Sequence, residues 1–464
     1  MELLAKQLAS TVRQGMRSIR ITKKQLLIWV PLLGLASAIF VWGARQQSVL
    51  VNIDMSSTDQ SAYMEDARKI ANMRFQFVGG RNRMPLYPTL MSFFYTDGMS
   101  NDTFFAIGKN IGVGIGLLCL AVFYFLISQV AQPFDSVTAT LVAAFTVFAY
   151  KAPYFQTEIL FYTINLILFY LLLRFVKVPS TKLAILSGLI GGIGYLTKAS
   201  VLPAIALAVC LVFVQAMFDF WMQWRNEADR PMLVLILKKF VYIIVLLGCF
   251  LLVVFPYIRT SKERFGTYFY NVNSTFYIWY DSWPEAVQGT KAHGDRVGWP
   301  DMPPEEIPSL QKYLNEHTTP QVVGRFTNGY KTLFSKNMTS YGYAEFLFIY
   351  LVISVALLIQ NKTLQSAIHP WPLLFVCGYF IGYSLLYAWY MPIASGNRFV
   401  LSLFLPLLYL FGWFLSVAQS YKANLTLFGR QISASSFSPL ILMYLIGYLI
   451  VIFPFRIATM YAGS

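Results

Sequence analysis

The sequence predicts an all-α integral membrane protein, a bundle of about eleven transmembrane helices with two large polar loop regions. Hydrophobic residues make up 57% of the 464 residues, only 12% are charged and the mean hydropathy is +0.55. This composition excludes a soluble protein of two or three domains. Apolar runs long enough to cross a bilayer, roughly 20 residues, recur near 26–44, 106–128, 137–151, 159–175, 183–197, 200–220, 240–257, 344–360, 371–390, 399–418 and 437–455.

The net charge of +15 indicates membrane topology rather than nucleic-acid binding, because the basic residues are not collected on one soluble domain. Many of them precede the first apolar run, so the positive-inside rule puts the N-terminus in the cytoplasm. Leu4, Leu8, Val12 and Met16 lie between them at helical spacing. Residues 1–25 are therefore expected to form an interfacial helix on the cytoplasmic surface.

The rest of the chain, 26–464, is expected to form one transmembrane domain with two polar segments, 45–105 and 259–340. Counting spans from a cytoplasmic N-terminus places both segments on the extracytoplasmic side. The prolines of the second segment predict an irregular lobe with short helices. The glycine-rich stretches 112–116 and 188–194 lie within spans, which favours close helix packing over phosphate binding.

The first polar segment contains a carboxylate at the start of a predicted amphipathic helix. Tyr63, Ala67, Ile70 and Ala71 fall on one face of a predicted helix. Asp59 then lies at or near the start of that helix, where the helix dipole favours a carboxylate.

Ionisable side chains at or beside the span ends are expected to meet the first segment on the extracytoplasmic side. Such groups are costly at a membrane boundary unless they face a cavity or a partner. Two carboxylates and four cations on one face predict a site that binds an anion and activates a hydroxyl. These residues are Asp59, Arg83, Glu158, Lys198, Arg259 and Arg398.

Six short segments carry a family pattern: Asp59 with Tyr63; Arg83-Met-Pro-Leu-Tyr-Pro88; Thr157-Glu-Ile-Leu-Phe161; Gly194-Tyr-Leu-Thr-Lys198; Pro256-Tyr-Ile-Arg-Thr, followed by Phe265-Gly266; and Arg398-Phe, followed by Pro406. In this order they resemble polytopic glycosyltransferases of the GT-C class, which include protein O-mannosyltransferases and lipid A aminoarabinose transferases. The resemblance covers most of the chain. Gln60 departs from it, because many relatives have a second acidic residue at that position.

The resemblance implies a GT-C-like fold and the transfer of a sugar from a polyprenyl phosphate to an acceptor hydroxyl, with inversion at the anomeric carbon. Asp59 would act as the base. Lys198, Arg259 and Arg398 would neutralise the departing phosphate. No dedicated general acid is needed, since a phosphate leaving group is weakly basic.

The resemblance also implies a second catalytic carboxylate in Glu158 and substrate contacts from Tyr63 and Arg83. Each residue has a structural alternative. Asp59 could stabilise a helix start, Tyr63 could serve packing and Arg83 could fix the loop. Glu158 could pair with Lys198. The basic side chains at the span ends could extend to lipid headgroups.

No metal or cofactor is indicated by the sequence. The three histidines and four cysteines show no ligand spacing. The first polar segment lacks an Asp-x-Asp pair, which disfavours a metal-dependent mechanism with a diphosphate donor. The segment Trp279-Tyr-Asp-Ser-Trp283 is similar to the Trp-Trp-Asp-x-Gly motif of oligosaccharyltransferases but lacks the glycine.

Two other functions remain open. An O-antigen ligase or polymerase would use a diphosphate donor and would not need the loop with Asp59 and Tyr63. A lipid or solute transporter would show mid-span charges and repeat symmetry, and neither is visible. The expected partners are a polyprenyl-phosphate-linked sugar, a lipid, glycan or protein acceptor and the bilayer, with no nucleic acid. The expected location is a prokaryotic inner or plasma membrane, with the active site on the extracytoplasmic side.

Overall fold

The computed structural model describes residues 23–74, 79–225, 231–338, 342–366, 369–394 and 396–462. The interfacial helix expected for residues 1–25 falls almost wholly outside these described residues.

Nine helices within the described ranges are long and apolar enough to cross a membrane, so the predicted all-α membrane fold is confirmed. They are Asn101–Ser128, Pro133–Lys151, Glu158–Lys177, Ala199–Met222, Ile236–Phe265, Tyr343–Gln360, Pro370–Tyr390, Arg398–Ser420 and Ala434–Val451. The expected number of eleven spans is not confirmed. The two remaining apolar runs form the helix Lys23–Gln46 and the shorter helix Thr181–Thr197.

Shorter elements connect these helices. The helix after Ala199 continues to Arg225, and the next one begins at Pro231. Strands Asn424–Leu427 and Arg430–Ser433 form an antiparallel hairpin. The other helices are Gln60–Asn72, Leu86–Ser92, Val272–Thr275, Trp283–Ala286, Leu310–Glu316, Thr319–Met338, Lys362–Ser366 and Phe453–Thr459, with π-helical turns at Gln47–Val51, Ala144–Phe148 and Val287–Lys291.

Glycines allow two close backbone approaches, as predicted for the glycine-rich stretches. A Cβ atom at Gly188 would lie 2.4 Å from the carbonyl oxygen of Leu246. A Cβ atom at Gly112 would lie 2.2 Å from the carbonyl oxygen of Ala152. Only glycine permits helices to pack this closely. The second contact seats the buried segment 152–157, which leads directly to Glu158.

The first polar segment packs onto that buried segment through two carboxamides. The side chains of Asn52 and Gln60 exchange hydrogen bonds of 3.0 and 2.7 Å. Gln60 Oε1 also accepts from the backbone N–H of Phe155 at 2.9 Å, and Asn52 Nδ2 donates to the carbonyl of Pro153 at 2.8 Å. Both carboxamides are fully buried, so these bonds satisfy groups that would otherwise be costly. They fix the start of helix Gln60–Asn72.

The helix Gln60–Asn72 buries the face that the sequence predicted. Tyr63, Ala67 and Ile70 are all buried, while Ala71 is half-buried. The Tyr63 ring meets the Tyr87 ring edge to face, with centroids 5.4 Å apart. The helix therefore packs on the Leu86–Ser92 helix and presents its first residues to the bundle.

The second polar segment runs through single helical turns and loops between Phe265 and Leu310. Its own small core is aromatic. The rings of Phe265 and Tyr270 stack with centroids 4.3 Å apart, and Trp299 contacts both Tyr270 and Phe276. This lobe ends in the 20-residue helix Thr319–Met338, so the expectation of short helices is wrong for the last part of the second polar segment.

Candidate active site

The Asp59 carboxylate lies between two arginines from distant parts of the chain. Its Oδ1 accepts from Arg83 Nη2 at 3.2 Å, and its Oδ2 accepts from Arg398 Nη1 at 3.1 Å. Asp59 occupies the N-cap position of helix Gln60–Asn72, but its side chain makes no capping hydrogen bond. The carboxylate is turned towards the arginines, so the structure does not show the helix-capping alternative.

The arginines keep this carboxyl group ionised. Burial acts to raise the pKa of Asp59, but the charges of Arg398 and Arg83 and their hydrogen bonds outweigh it, so the pKa lies below its ordinary value. The side chain is still 41% exposed. An ionised, accessible carboxylate is available to accept a proton once a cation is drawn away from it.

A second ion pair lies beside the first. Lys198 Nζ is 3.9 Å from Glu158 Oε1, as the pairing alternative for Glu158 anticipated. The Lys198 ammonium also lies over the rings of Phe161 and Phe399, 5.2 and 5.4 Å from their centroids. Phe399 directly follows Arg398, so the two ion pairs are neighbours in one recess at the end of the bundle.

Two features of the helix ends favour this second pair. Glu158 is the first residue of helix Glu158–Lys177, where the helix dipole stabilises a carboxylate. Lys198 links helix Thr181–Thr197 to the next span. Burial lowers the pKa of Lys198 to about 8, although Glu158 acts in the opposite direction.

Several buried polar atoms of the recess have no hydrogen-bond partner among the described residues. They are Arg83 Nε, Tyr87 Oη, Thr157 Oγ1 and Glu158 Oε2. Buried polar groups in folded proteins are nearly always paired. Unpaired atoms concentrated around one carboxylate indicate a place where solvent or substrate completes the hydrogen bonds.

Arg259 is the one predicted cation that the structure does not bring to this recess. Its side chain is 67% exposed, and its Nε lies 2.9 Å from Glu263 Oε1, one helical turn further along. The nearby Arg81 is the buried cation of that region. It donates to the Tyr257 carbonyl and Ser261 Oγ, which ties the first polar segment to helix Pro231–Phe265.

Sequence reasoning missed two residues of the site. Lys151 ends its span and is only 2% exposed, and the charges of Glu158, Lys198 and Arg398 act on its ammonium group. The sequence did offer a signal for Lys151: it is a lysine at the last position of an apolar span, on the same side of the membrane as Glu158. Tyr87, whose hydroxyl is unpaired, is part of the Arg83-Met-Pro-Leu-Tyr-Pro88 segment.

The predicted substrate residue Tyr63 is placed by packing as well as by charge. Its side chain is buried, and the Arg83 guanidinium lies 5.7 Å from its ring centroid.

Within the described parts of the chain, no group of three or more His, Cys, Asp or Glu side chains is arranged to hold a metal ion.

Comparison with known proteins gives structural matches only. No protein-family model matches the chain, and no curated protein matches it in sequence. The oligosaccharyltransferase of Archaeoglobus fulgidus tethered to an acceptor peptide matches with a TM-score of 0.44 and 13% identity over 93% of this chain and 55% of that one. The AglB oligosaccharyltransferase of the same organism, in complex with an inhibitory peptide and a dolichol-phosphate, matches with a TM-score of 0.45 and 12% identity over 93% and 56%.

A third structure of that enzyme, in complex with Zn and sulfate, matches with a TM-score of 0.43 and 13% identity over 92% of this chain and 53% of that one. The chain thus spans about half the length of the structures that it matches. Each of them is an oligosaccharyltransferase, which is a glycosyltransferase, the class that the sequence motifs resemble.

Proposed function

We propose that this chain is a membrane glycosyltransferase that moves a sugar from a polyprenyl-phosphate donor to an acceptor hydroxyl on the extracytoplasmic side, with inversion. One observation supports this above all others. An ionised carboxylate, Asp59, lies between Arg83 and Arg398 at the end of an apolar bundle, next to the Lys198–Glu158 pair. A lipid phosphate has its tail in the bilayer and its head at the depth of the span ends, where these cations lie.

The donor phosphate binds Lys198 and Arg398 through charge-assisted hydrogen bonds. Arg398 then exchanges a carboxylate oxygen of Asp59 for phosphate oxygens, which its planar guanidinium can bind in pairs. This exchange weakens the electrostatic interaction with Arg398 that lowers the pKa of Asp59, so the carboxylate becomes a better proton acceptor.

The transfer step conserves atoms and charge. The acceptor oxygen attacks the anomeric carbon from the face opposite the phosphate, and its proton passes to Asp59. The bond between the anomeric carbon and the phosphate oxygen breaks, and its electron pair stays on the phosphate, which the cations stabilise. Glu158 Oε2 and Tyr87 Oη, both unpaired, then serve as hydrogen-bonding groups for a substrate hydroxyl.

The decisive experiment measures binding of a polyprenyl phosphate to the protein in nanodiscs. Charge-assisted hydrogen bonds contribute about 1.5–3 kcal/mol each, so Lys198→Gln and Arg398→Gln should each weaken binding by about 10- to 100-fold. Arg259→Gln is the matched control, because Arg259 pairs with Glu263 outside the recess. Unchanged binding in both recess variants would contradict the proposed donor site.

A further inference from the structure

A second polar cleft lies on the extramembrane lobe, separate from the ion pairs of the recess. Its volume is about 460 Å³, which falls in the range of small-molecule sites, roughly 300–1,000 Å³. Helix Thr319–Met338 forms one wall, and Met391 and Pro392, which follow helix Pro370–Tyr390, form part of another. The proposed transfer reaction uses none of the residues that line it.

The charged groups of the cleft are paired with one another. Asp281 Oδ1 accepts from Arg325 Nη1 at 2.8 Å and from the Tyr313 hydroxyl at 3.0 Å, and its Oδ2 lies 2.7 Å from His317 Nε2. The other ring nitrogen of His317 lies 2.8 Å from the Tyr313 carbonyl oxygen. Both ring nitrogens therefore face acceptors, which suits the protonated imidazole.

The Arg325 guanidinium is buried and directs three of its N–H groups to acceptors of the protein, so it offers little to an anionic ligand. Arg325 Nε donates to the Trp389 carbonyl at 3.0 Å, and Nη2 donates to the Ile278 carbonyl at 3.1 Å. Its side chain is only 3% exposed. Asp281, in contrast, is 44% exposed and keeps acceptor capacity towards the cleft.

The helix wall adds neutral polar groups in a single stripe. Gln321, Asn328 and Thr332 follow one another at spacings of seven and four residues, so they share a helix face. Within the described residues, neither Gln321 Nε2 nor the Asn328 carboxamide has a hydrogen-bond partner. Gly324 lies between them with nothing within 4 Å of the place where a Cβ would stand, which leaves the floor of the cleft open.

Tyr390 packs between the cleft and the recess. Tyr390 directly precedes Met391 of the cleft, and its hydroxyl donates to Asn273 Oδ1 at 3.0 Å. The Tyr390 ring lies 5.6 Å from the Phe399 ring, centroid to centroid, and Phe399 adjoins Arg398 of the recess. Tyr390 and Phe399 therefore link the cleft to the recess through side-chain packing.

We propose that this cleft binds a short neutral glycan, which is the hydroxyl-rich part of the acceptor. The proposal rests on the glycosyltransferase function given above. Carboxamides, a hydroxyl and an exposed carboxylate oxygen match the donors and acceptors of sugar hydroxyls. An anionic ligand would find the Arg325 guanidinium buried, whereas the exposed groups of the cleft are neutral carboxamides and the Asp281 carboxylate.

The test is binding of the intact protein, purified in nanodiscs without donor lipid, to an array of neutral oligosaccharides. We expect binding by the parent protein, and we expect Asn328→Trp to abolish it by filling the cleft. Val323→Trp is the matched control, because Val323 is exposed on the opposite face of the same helix. Asn328→Ala removes the carboxamide without adding volume to the cleft. It should weaken glycan binding about tenfold, the equivalent of roughly 1.4 kcal/mol.

Three outcomes would overturn the inference: no neutral glycan is bound, Asn328→Trp and Val323→Trp bind equally, or only anionic glycans or peptides bind. A failure of the proposed function gives a different pattern. In that case glycan binding follows the cleft variants while polyprenyl-phosphate binding ignores Lys198→Gln and Arg398→Gln.

Discussion

At the scale of single residues, Asp59 pairs with both Arg83 and Arg398, and this pairing predicts how a substitution of Asp59 changes activity and donor affinity. Asp59→Asn removes the proton acceptor but keeps the side-chain shape, so we expect sugar transfer to fall by about 10²–10⁴-fold. Affinity for polyprenyl phosphate should stay equal or rise, because Arg83 and Arg398 lose a competing carboxylate. Transfer is measured with donor lipid and membrane acceptors. Asp66→Asn, on the same helix, is the control, and an Asp59→Asn variant with full activity would contradict the assignment.

Lys198 makes the reaction depend on pH in the mildly alkaline range. Burial lowers the pKa of Lys198 to about 8, so the ammonium loses its charge as the pH rises through that value. A neutral amine binds phosphate poorly, and kcat/KM for the donor should therefore decline above about pH 8, since this parameter reports the free enzyme. In Lys198→Arg, whatever its residual rate, the decline should vanish because guanidinium stays protonated. The same decline in both proteins would assign it to another group.

At the scale of elements, the contact between the first polar segment and the segment 152–157 depends on Gln60. Gln60→Glu replaces the donor Nε2 with an oxygen that faces Asn52 Oδ1, and it buries a charge. We expect a loss of about 1–3 kcal/mol of stability, the usual cost of leaving a buried group unpaired. Thermal unfolding in detergent measures it. The exposed Gln129→Glu is the control, and equal melting temperatures for the two variants would show that the contact is not needed.

At the scale of the whole molecule, the proposal requires both polar segments on one side of the membrane. In a background without native cysteines, Asp102→Cys and Gln288→Cys should react with an impermeant thiol reagent applied from outside. Both positions are exposed. Phe428 is exposed at the tip of the hairpin that follows helix Arg398–Ser420. Phe428→Cys should react only after the membrane is permeabilised. Labelling of the two segments from opposite sides would end the shared-site proposal.

The sequence by itself determined the fold class and the approximate position of most membrane-length helices. Apolar runs of membrane length need their backbone groups paired internally, so composition alone dictates helices there. The side-chain spacing of Tyr63, Ala67 and Ile70 likewise fixed the buried face of their helix. The span ends at Glu158 and Arg398 were predictable because charge is excluded from the apolar interior.

Only the tertiary structure decided which charges meet. Asp59 could have capped its helix, yet its carboxylate turns to Arg398, more than three hundred residues away in the chain. Arg259 and Lys198 looked equivalent in sequence, but Arg259 faces outwards beside Glu263 and Lys198 is half-buried beside Glu158. The length of an apolar run gives the end of a span, but a helix that is apolar all round does not reveal its rotation in the bundle. The rotation comes from packing, such as the glycine contact that seats the segment before Glu158, and packing is a property of the whole chain.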